Sequence, residues 1–526
     1  MTAPAGQVRF GTAEGRWILF ATIVGSGIAA LDATVVNVAL PTIGKHFGAG
    51  VSGLQWVLTG YLIPLAALIL LGGSLGDLFG RKRVFIIGVV WFSLASLLCG
   101  VAINLPMLIA ARALQGVGGA LLVPGSLAII ESSFAPSDRG RAIGAWSGLG
   151  GIATAIGPLA GGWLVSAVSW RLIFLLNLPL AAGVLVAARH VPESTDPGAD
   201  RRIDVLGAAL VVIGLASLTY ALIEAPAPGQ GGVVLAAGAV GVVGLVAFVV
   251  VERRSPHPML PLGIFSSRQF TAANLVTFVV YAALSGALFL LAVDLQQALR
   301  FSPVAAGAAL FPVTVIMLLF SARAGALAQR IGPRLPMTVG PLLVTAGLLL
   351  MRRIVPGGHY VSQVLPAVVV FGLGLALTVA PLTATVLAAA DERHAGVASG
   401  INNAVARAAG LVAVALLPAL AGLTGADYRH PLAFSNGFHV ALLIAAGGTL
   451  LGGVIAFFGI RNPAPVGAGA AAGPGAAAGP GAAAGPGAAA GPGAAAGAGG
   501  AAGRWLSPHH SGCPVDGPPL RHEPIG

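Results

Sequence analysis

Charge is what this chain has least of. Asp, Glu, Lys and Arg together make up 9% of its 526 residues, against about 25% in soluble domains. Hydrophobic residues make up 56%, and a water-soluble fold of this length has no core able to hide that much apolar surface. Soluble, secreted and fibrous architectures are excluded. Cysteine is nearly absent as well: Cys99 and Cys513 are the two present, which rules out a disulfide framework and a cysteine-type zinc site. There is no Walker-type phosphate loop, no His-Glu-x-x-His helix and no serine nucleophile elbow. ATP-driven transport by this chain alone and enzyme catalysis therefore lack a motif, and no cofactor or metal is expected.

What the chain does have is long apolar runs. A helix needs about 20 apolar residues to cross a ~30 Å hydrocarbon layer. Runs of that kind lie near 17–40, 54–75, 84–104, 107–130, 141–165 and 171–189, then near 204–224 and 233–251. Six more lie near 270–294, 303–328, 336–355, 362–388, 396–422 and 436–459. They predict an all-α polytopic membrane protein with 14 transmembrane helices. The first run exceeds a signal-peptide h-region and no small-residue cleavage site follows it, so it reads as a retained span after a polar leader, 1–16.

The net charge of +11 could suggest a nucleic-acid partner. The positive residues are instead scattered in short clusters between apolar runs, which fits membrane orientation and no nucleic acid. With the N-terminus inside, the inner segments and tail hold nineteen Lys and Arg, among them Arg81, Lys82 and Arg83. The outer segments hold six: Lys45, Arg171, Arg300, Arg352, Arg353 and Arg429. The positive-inside rule then places both termini in the cytoplasm of a cell-membrane protein. Residues 467–503 repeat Ala-Ala-Ala-Gly-Pro-Gly and read as a flexible linker. The end, with Trp505, His509, His510 and Cys513, reads as a solvated tail, so 461–526 is expected to be a disordered cytoplasmic segment.

Residues 73–82 read Gly-Ser-Leu-Gly-Asp-Leu-Phe-Gly-Arg-Lys, and 325–334 read Gly-Ala-Leu-Ala-Gln-Arg-Ile-Gly-Pro-Arg. Each follows the second span of a six-span block. This repeat implies two six-helix halves, 17–189 and 270–460, with two inserted helices in 190–269, and a substrate site between the halves.

Five segments, in order, carry a family resemblance. They are Leu31 to Pro41, Gly73 to Lys82, Arg112 to Gly116, Gly148 to Gly162, and Trp170 to Pro179. Over about 17–460 the chain resembles the fourteen-span drug:proton antiporter branch of the major facilitator superfamily. The resemblance implies a monomer that exchanges protons for small-molecule cargo by alternating access, powered by the proton motive force. It assigns 73–82 (Gly73, Asp77, Gly80, Arg81, Lys82) to gating. It links Gly148, Gly157, Pro158, Gly161 and Gly162 to antiport, although small residues and a helix-bending Pro would serve plain packing equally well. The second loop departs from the pattern, with Gln329 where the first has Asp77.

Asp32 is the one acid placed well inside a span. It lies nine residues before Pro41, roughly 13 Å from the outer helix end; Arg112, six residues after Pro106, lies roughly 9 Å from that end. Their depths are similar, and the resemblance implies that both helices belong to one half, which makes Asp32 and Arg112 a candidate proton-responsive pair, with a packing-only contact or a helix-end cap as the alternative. Asn37, Gln115, Asn402, Asn403 and Arg407 are substrate-cavity candidates, Asn403 and Arg407 sharing a helix face. Glu224 and Asp294 join them as carboxylates near outer span ends, where solvent is expected to reach them. Trp56, Tyr61, Trp146, Phe278, Tyr281 and Phe289 are aromatic candidates better explained by packing and interface anchoring. The leading function is proton-coupled efflux of amphipathic drugs or antibiotics. The alternative is a proton-coupled transporter of one metabolite, amino acid or siderophore; a membrane scaffold or sensor is a third.

Overall fold

Small polar caps cut the apolar runs into helices. Thr12, Asn104, Asp204, Ser267 and Ser302 each accept a hydrogen bond from the amide three residues on, satisfying a helix N-terminus that the bilayer could not. Gly48, at φ 65°, ends the first helix in the left-handed region open to glycine.

A computed structural model describes residues 8–196, 203–227, 229–389, 395–424, 427 and 430–462. The Gly/Ala/Pro linker, the His- and Cys-bearing tail, and Arg201, Arg202, Arg393 and Arg429 lie outside the described residues. The helices are α1 (Ala13–Phe47), α2 (Val51–Phe79), α3 (Arg81–Gly100), α4 (Leu105–Ser133), α5 (Pro136–Ala167), α6 (Leu172–Ala188) and α7 (Val205–Glu224). There follow α8 (Gly231–Arg254), α9 (Arg268–Gln297), α10 (Pro303–Ile331), α11 (Arg334–Met351), α12 (Tyr360–Ala388), α13 (Ala395–Leu420) and α14 (Pro431–Gly459). Among the described residues, 13 of these helices are long and apolar enough to cross a membrane. The exception is α6, about 25 Å long and interrupted by a turn at Leu176.

The leader does not hang free from Val8 onward. Val8 pairs with Phe134 as a parallel bridge, and Phe10 N–H donates to Asp138 at 3.0 Å, so residues 8–12 strap the α4–α5 junction.

Helices α1–α6 pack mainly on one another, through α2–α4, α3–α4, α1–α5 and α1–α6. Helices α9–α14 do the same, through α11–α12, α10–α12, α11–α14, α9–α14 and α9–α13. The pair α7–α8 packs on itself and touches α2 and α13 through α7. The two six-helix sets meet along α5–α10, α2–α13 and α1–α9.

The repeat recurs in three dimensions. Gly80 between α2 and α3 has φ 108°, and Gly332 between α10 and α11 has φ 87°. Each is followed by a helix whose first amides are capped from the segment after the sixth helix of its set. Glu193 accepts from Lys82 and Arg83 N–H at 3.0 and 3.2 Å; Asn462 Oδ1 accepts from Arg334 N–H at 3.1 Å.

At the opposite end of the bundle, here the far end, the sets are hydrogen-bonded together. Gln55 Nε2 on α2 donates to the Val414 and Ala415 carbonyls of α13 at 2.7 and 3.0 Å. Gln296 Nε2 on α9 donates to the Val38 carbonyl of α1 at 2.9 Å.

Candidate functional site

Four helices of the first set bring polar side chains to one buried point. Asp32 from α1 and Arg112 from α4 are paired at 2.5 Å, with 0% and 1% of their side chains exposed. An ion pair taken out of water survives only if its remaining hydrogen-bonding capacity is used, and here it is. Asp32 Oδ2 accepts from Arg112 Nη1, and Oδ1 accepts from Gln115 Nε2 at 2.9 Å and Asn177 Nδ2 at 3.3 Å. Arg112 also donates to Gln115 Oε1 at 2.6 Å and to the Val57 carbonyl at 3.1 Å. Its guanidinium lies 4.4 Å from the Tyr61 ring centroid and 5.8 Å from that of Phe174.

Ser96 on α3 closes the circuit. It accepts from Asn177 at 2.9 Å and from Gln115 at 3.2 Å, and donates to the Phe174 carbonyl at 2.9 Å. Asp32, Arg112, Gln115, Ser96 and Asn177 are all buried. Sequence reasoning brought Asp32 and Arg112 together but offered Gln115 only as a substrate-cavity candidate. It missed Ser96 and the role of Asn177, which sits at the turn that interrupts α6. Cys99 borders the cluster, with its thiol 3.7 Å from Gln115 Oε1.

The other candidates disperse. Asn37 donates to the Ala33 carbonyl of its own helix, and among the described residues its buried Oδ1 has no partner. Asn402 is tied to α9, donating to Thr277 at 2.7 Å and Asn274 at 3.2 Å, so its amide staples helices. Asn403 and Arg407 are partly exposed on α13. Glu224 is partly exposed and accepts from the Trp56 indole at 2.9 Å. Asp294 contradicts the expectation of a solvent-reached carboxylate. It is 0% exposed, because α14 covers this end of α9. Among the described residues neither of its oxygens makes a well-formed hydrogen bond, and the polar group interacting with it is the Ser435 hydroxyl of α14.

The 73–82 segment forms the α2–α3 turn. Asp77 pairs with Arg81 at 2.8 Å, one turn on; its partner is local, not across the set-to-set contact. The Asp77 carbonyl accepts from Asp196 N–H at 3.0 Å, and Ser194 accepts from Arg81 N–H at 2.9 Å. Gly73 lies near Pro124, and a β-carbon at Gly80 would stand 2.7 Å from the Glu193 carboxylate. Glu193, unnoticed in the sequence, is thus the acid that engages the α3 N-terminus, alongside the exposed Lys82 backbone.

In α5 the small residues divide their work. β-Carbons at Gly157 and Gly161 would meet Thr34 and Val35 of α1, whereas Gly162 abuts Pro303 and Val304 of α10. Pro158 receives Gly307 of α10 against its carbonyl. Gly148 lies on the same helix, nearer the α4–α5 junction.

Residues 22–414 match the Major Facilitator Superfamily. The chain belongs to that superfamily. Its helical architecture agrees: a peptide transporter solved in complex with sulfate superposes with a TM-score of 0.61 at 16% identity, covering 85% of this chain and 94% of that one. A bacterial homologue of the lysosomal transporter Spinster, inward-facing and unoccupied, gives 0.59 at 16% identity over 86% and 100%. Nearer relatives in sequence include the puromycin resistance protein pur8 of Streptomyces alboniger, 36% identical over 84% of this chain and 90% of its own. The methylenomycin A resistance protein of Bacillus subtilis is 34% identical over 81% and 91%. The multidrug resistance protein Stp of Mycobacterium tuberculosis is 37% identical over 73% and 72%. This major facilitator protein is thus a multi-pass membrane transporter by family, and its relatives are named for resistance.

Proposed function

We propose that this protein expels amphipathic small molecules, drugs or antibiotics, from the cell in exchange for protons. The observation that carries export is the identity of 34–37% to resistance proteins over 73–84% of the chain. Residues 17–189 and 270–460 act as two halves with 190–269 inserted between them, and the chain works as a monomer. Both termini and the 73–82 loop face the cytoplasm, so the far end faces outward. The hydrogen bonds of Gln55 and Gln296 then close the outer side, and the described state is the one that loads cargo from within.

Proton coupling rests on the Asp32 cluster. A proton on Asp32 turns an acceptor-only carboxylate into a donor and cancels the charge that holds Arg112. Arg112 then moves relative to the Val57 carbonyl and Tyr61 ring of α2, so a proton event in α1 reaches the helix that contacts the second half. Asp77 and Arg81, with Gly73, Gly80 and Lys82, shape the inner turn that rearranges when the halves rock, and the α5 glycines permit the outer closure.

Inverted membrane vesicles with an imposed proton gradient test this. The wild type accumulates a fluorescent dye or drug, and a protonophore collapses the accumulation. Asp32→Asn remains folded and loses gradient-driven uptake. Full activity in that variant refutes the coupling role, and no movement across a broad substrate panel refutes export.

A further inference from the structure

Two arginines lie deep in this bundle in opposite circumstances. Arg112 is buried and saturated, with a carboxylate, an amide oxygen, a backbone carbonyl and an aromatic face as partners. Arg407 stands midway along α13 and is partly exposed. Among the described residues it has neither an ion pair nor a hydrogen bond.

Its location is the seam between the halves. Helix α13 packs against α2 of the first half and α9 of the second. Residues on either side of Arg407 touch both: a β-carbon at Gly400 would stand 3.1 Å from Leu70 of α2, and one at Gly410 would stand 2.7 Å from Ser285 of α9. Asn403, one turn earlier on the same face of α13, is also partly exposed and adds an amide donor.

Three acids of the bundle, Asp32, Glu224 and Asp294, are engaged or sealed elsewhere. Asp32 is consumed by Arg112, Gln115 and Asn177, Glu224 by the Trp56 indole. Asp294 is buried near the end of α9 beside Ser435. A guanidinium at mid-membrane without a counter-ion costs roughly 2.5–3.5 kcal/mol even on lenient scales. An anion arriving at the seam removes that cost. The planar fork of Arg suits a carboxylate or sulfonate better than a point cation would.

We infer that the seam at Arg407, with Asn403, is a binding site for amphipathic organic anions, whose acid group docks on Arg407. The inference rests on the export reading and narrows it: cargo carrying a carboxylate or a comparably acidic group is preferred over its neutral or cationic counterpart.

The test is equilibrium binding to the full-length protein in detergent, followed by fluorescence, with three pyrene probes of one length: pyrenebutanoate, pyrenebutanol and pyrenebutyl-trimethylammonium. Wild type binds the acid about tenfold more tightly than the alcohol, the scale of one charge-assisted hydrogen bond, and binds the cation no better than the alcohol. Arg407→Gln lowers affinity for the acid about tenfold and leaves the alcohol unchanged, while Arg407→Lys keeps most of the preference for the acid. A wild type that binds all three alike, or none, overturns the inference. So does an Arg407→Gln variant, folded by its thermal midpoint, that keeps the preference or loses acid and alcohol equally. Export is read separately in vesicles. Acid preference without gradient-driven movement leaves the site standing and refutes export; gradient-driven movement of the cation with no Arg407-dependent binding does the reverse.

Discussion

Gly162 on α5 lies so close to α10 that a β-carbon there would stand 2.6 Å from the Pro303 carbonyl oxygen and 2.7 Å from the Val304 Cα. Both obstacles are backbone, so no side-chain rotation relieves the clash, and overpacking of this kind costs about 1–3 kcal/mol. Gly162→Val is therefore expected to disfavour the closed far end. Spin labels at Val168 and Arg300, which flank this contact, should report longer distances in the variant than in the parent. An unchanged distance distribution would show that α10 yields without opening the seam.

Asn177 holds Asp32 and Ser96 with one amide. Asn177→Ala removes both donations and leaves part of a buried carboxylate unsatisfied, at about 1–3 kcal/mol. Asn177→Asp is expected to be worse, since it places a second acid beside Asp32 and supplies no donor when ionised. Thermal midpoint in detergent and gradient-driven transport should both fall in the order wild type, Asn177→Ala, Asn177→Asp. Equal loss in the two variants would contradict the like-charge argument.

Glu193 caps the start of α3, and Gly80 leaves room for its carboxylate. Glu193→Ala removes a cap of about 1 kcal/mol, which corresponds to roughly fivefold faster hydrogen exchange at the Lys82 and Arg83 amides if these open locally. Gly80→Ala meets both the Glu193 carboxylate and an unfavourable φ of 108°, and should speed the same amides. Exchange confined to other segments would place the cap elsewhere.

Asp294 is buried, and among the described residues neither of its oxygens makes a well-formed hydrogen bond, Ser435 being its polar neighbour. Asp294→Asn keeps the shape and removes the possibility of an unpaired buried charge, so it is expected to raise the thermal midpoint, on a scale of about 1–3 kcal/mol. A lowered midpoint would mean that the carboxyl is needed for packing with Ser435.

Much of the fold was legible because a membrane allows few solutions. Apolar runs between polar breaks located each helix, and the extra length of α1, Ala13–Phe47, came from capping at Thr12 and a glycine stop at Gly48 that hydropathy does not weigh. The Asp32–Arg112 pair was legible from helical rise once the resemblance put both helices in one half. Asn177 was not, although it stands within a recognisable segment. Its partners are 145 and 81 residues away, and no local period marks a residue whose meaning comes from how α6 leans on α1 and α3. Glu193 stood in a polar connector, where acids are ordinary. Asp294 was misjudged for the opposite reason: nearness to a helix end suggested water, while the first turns of α14 lie over it.

The two glutamines that join the halves at the far end bond to main-chain carbonyls, of Val414, Ala415 and Val38. A carbonyl is the same whatever side chain it carries. The latch is therefore lopsided in its tolerance of change: on the accepting side almost any residue of similar bulk preserves it, whereas on the donating side Gln55 and Gln296 carry all the chemistry. Sequence drift can proceed freely along one edge of the closure, and variants with a leaking far end should collect at two positions on the other.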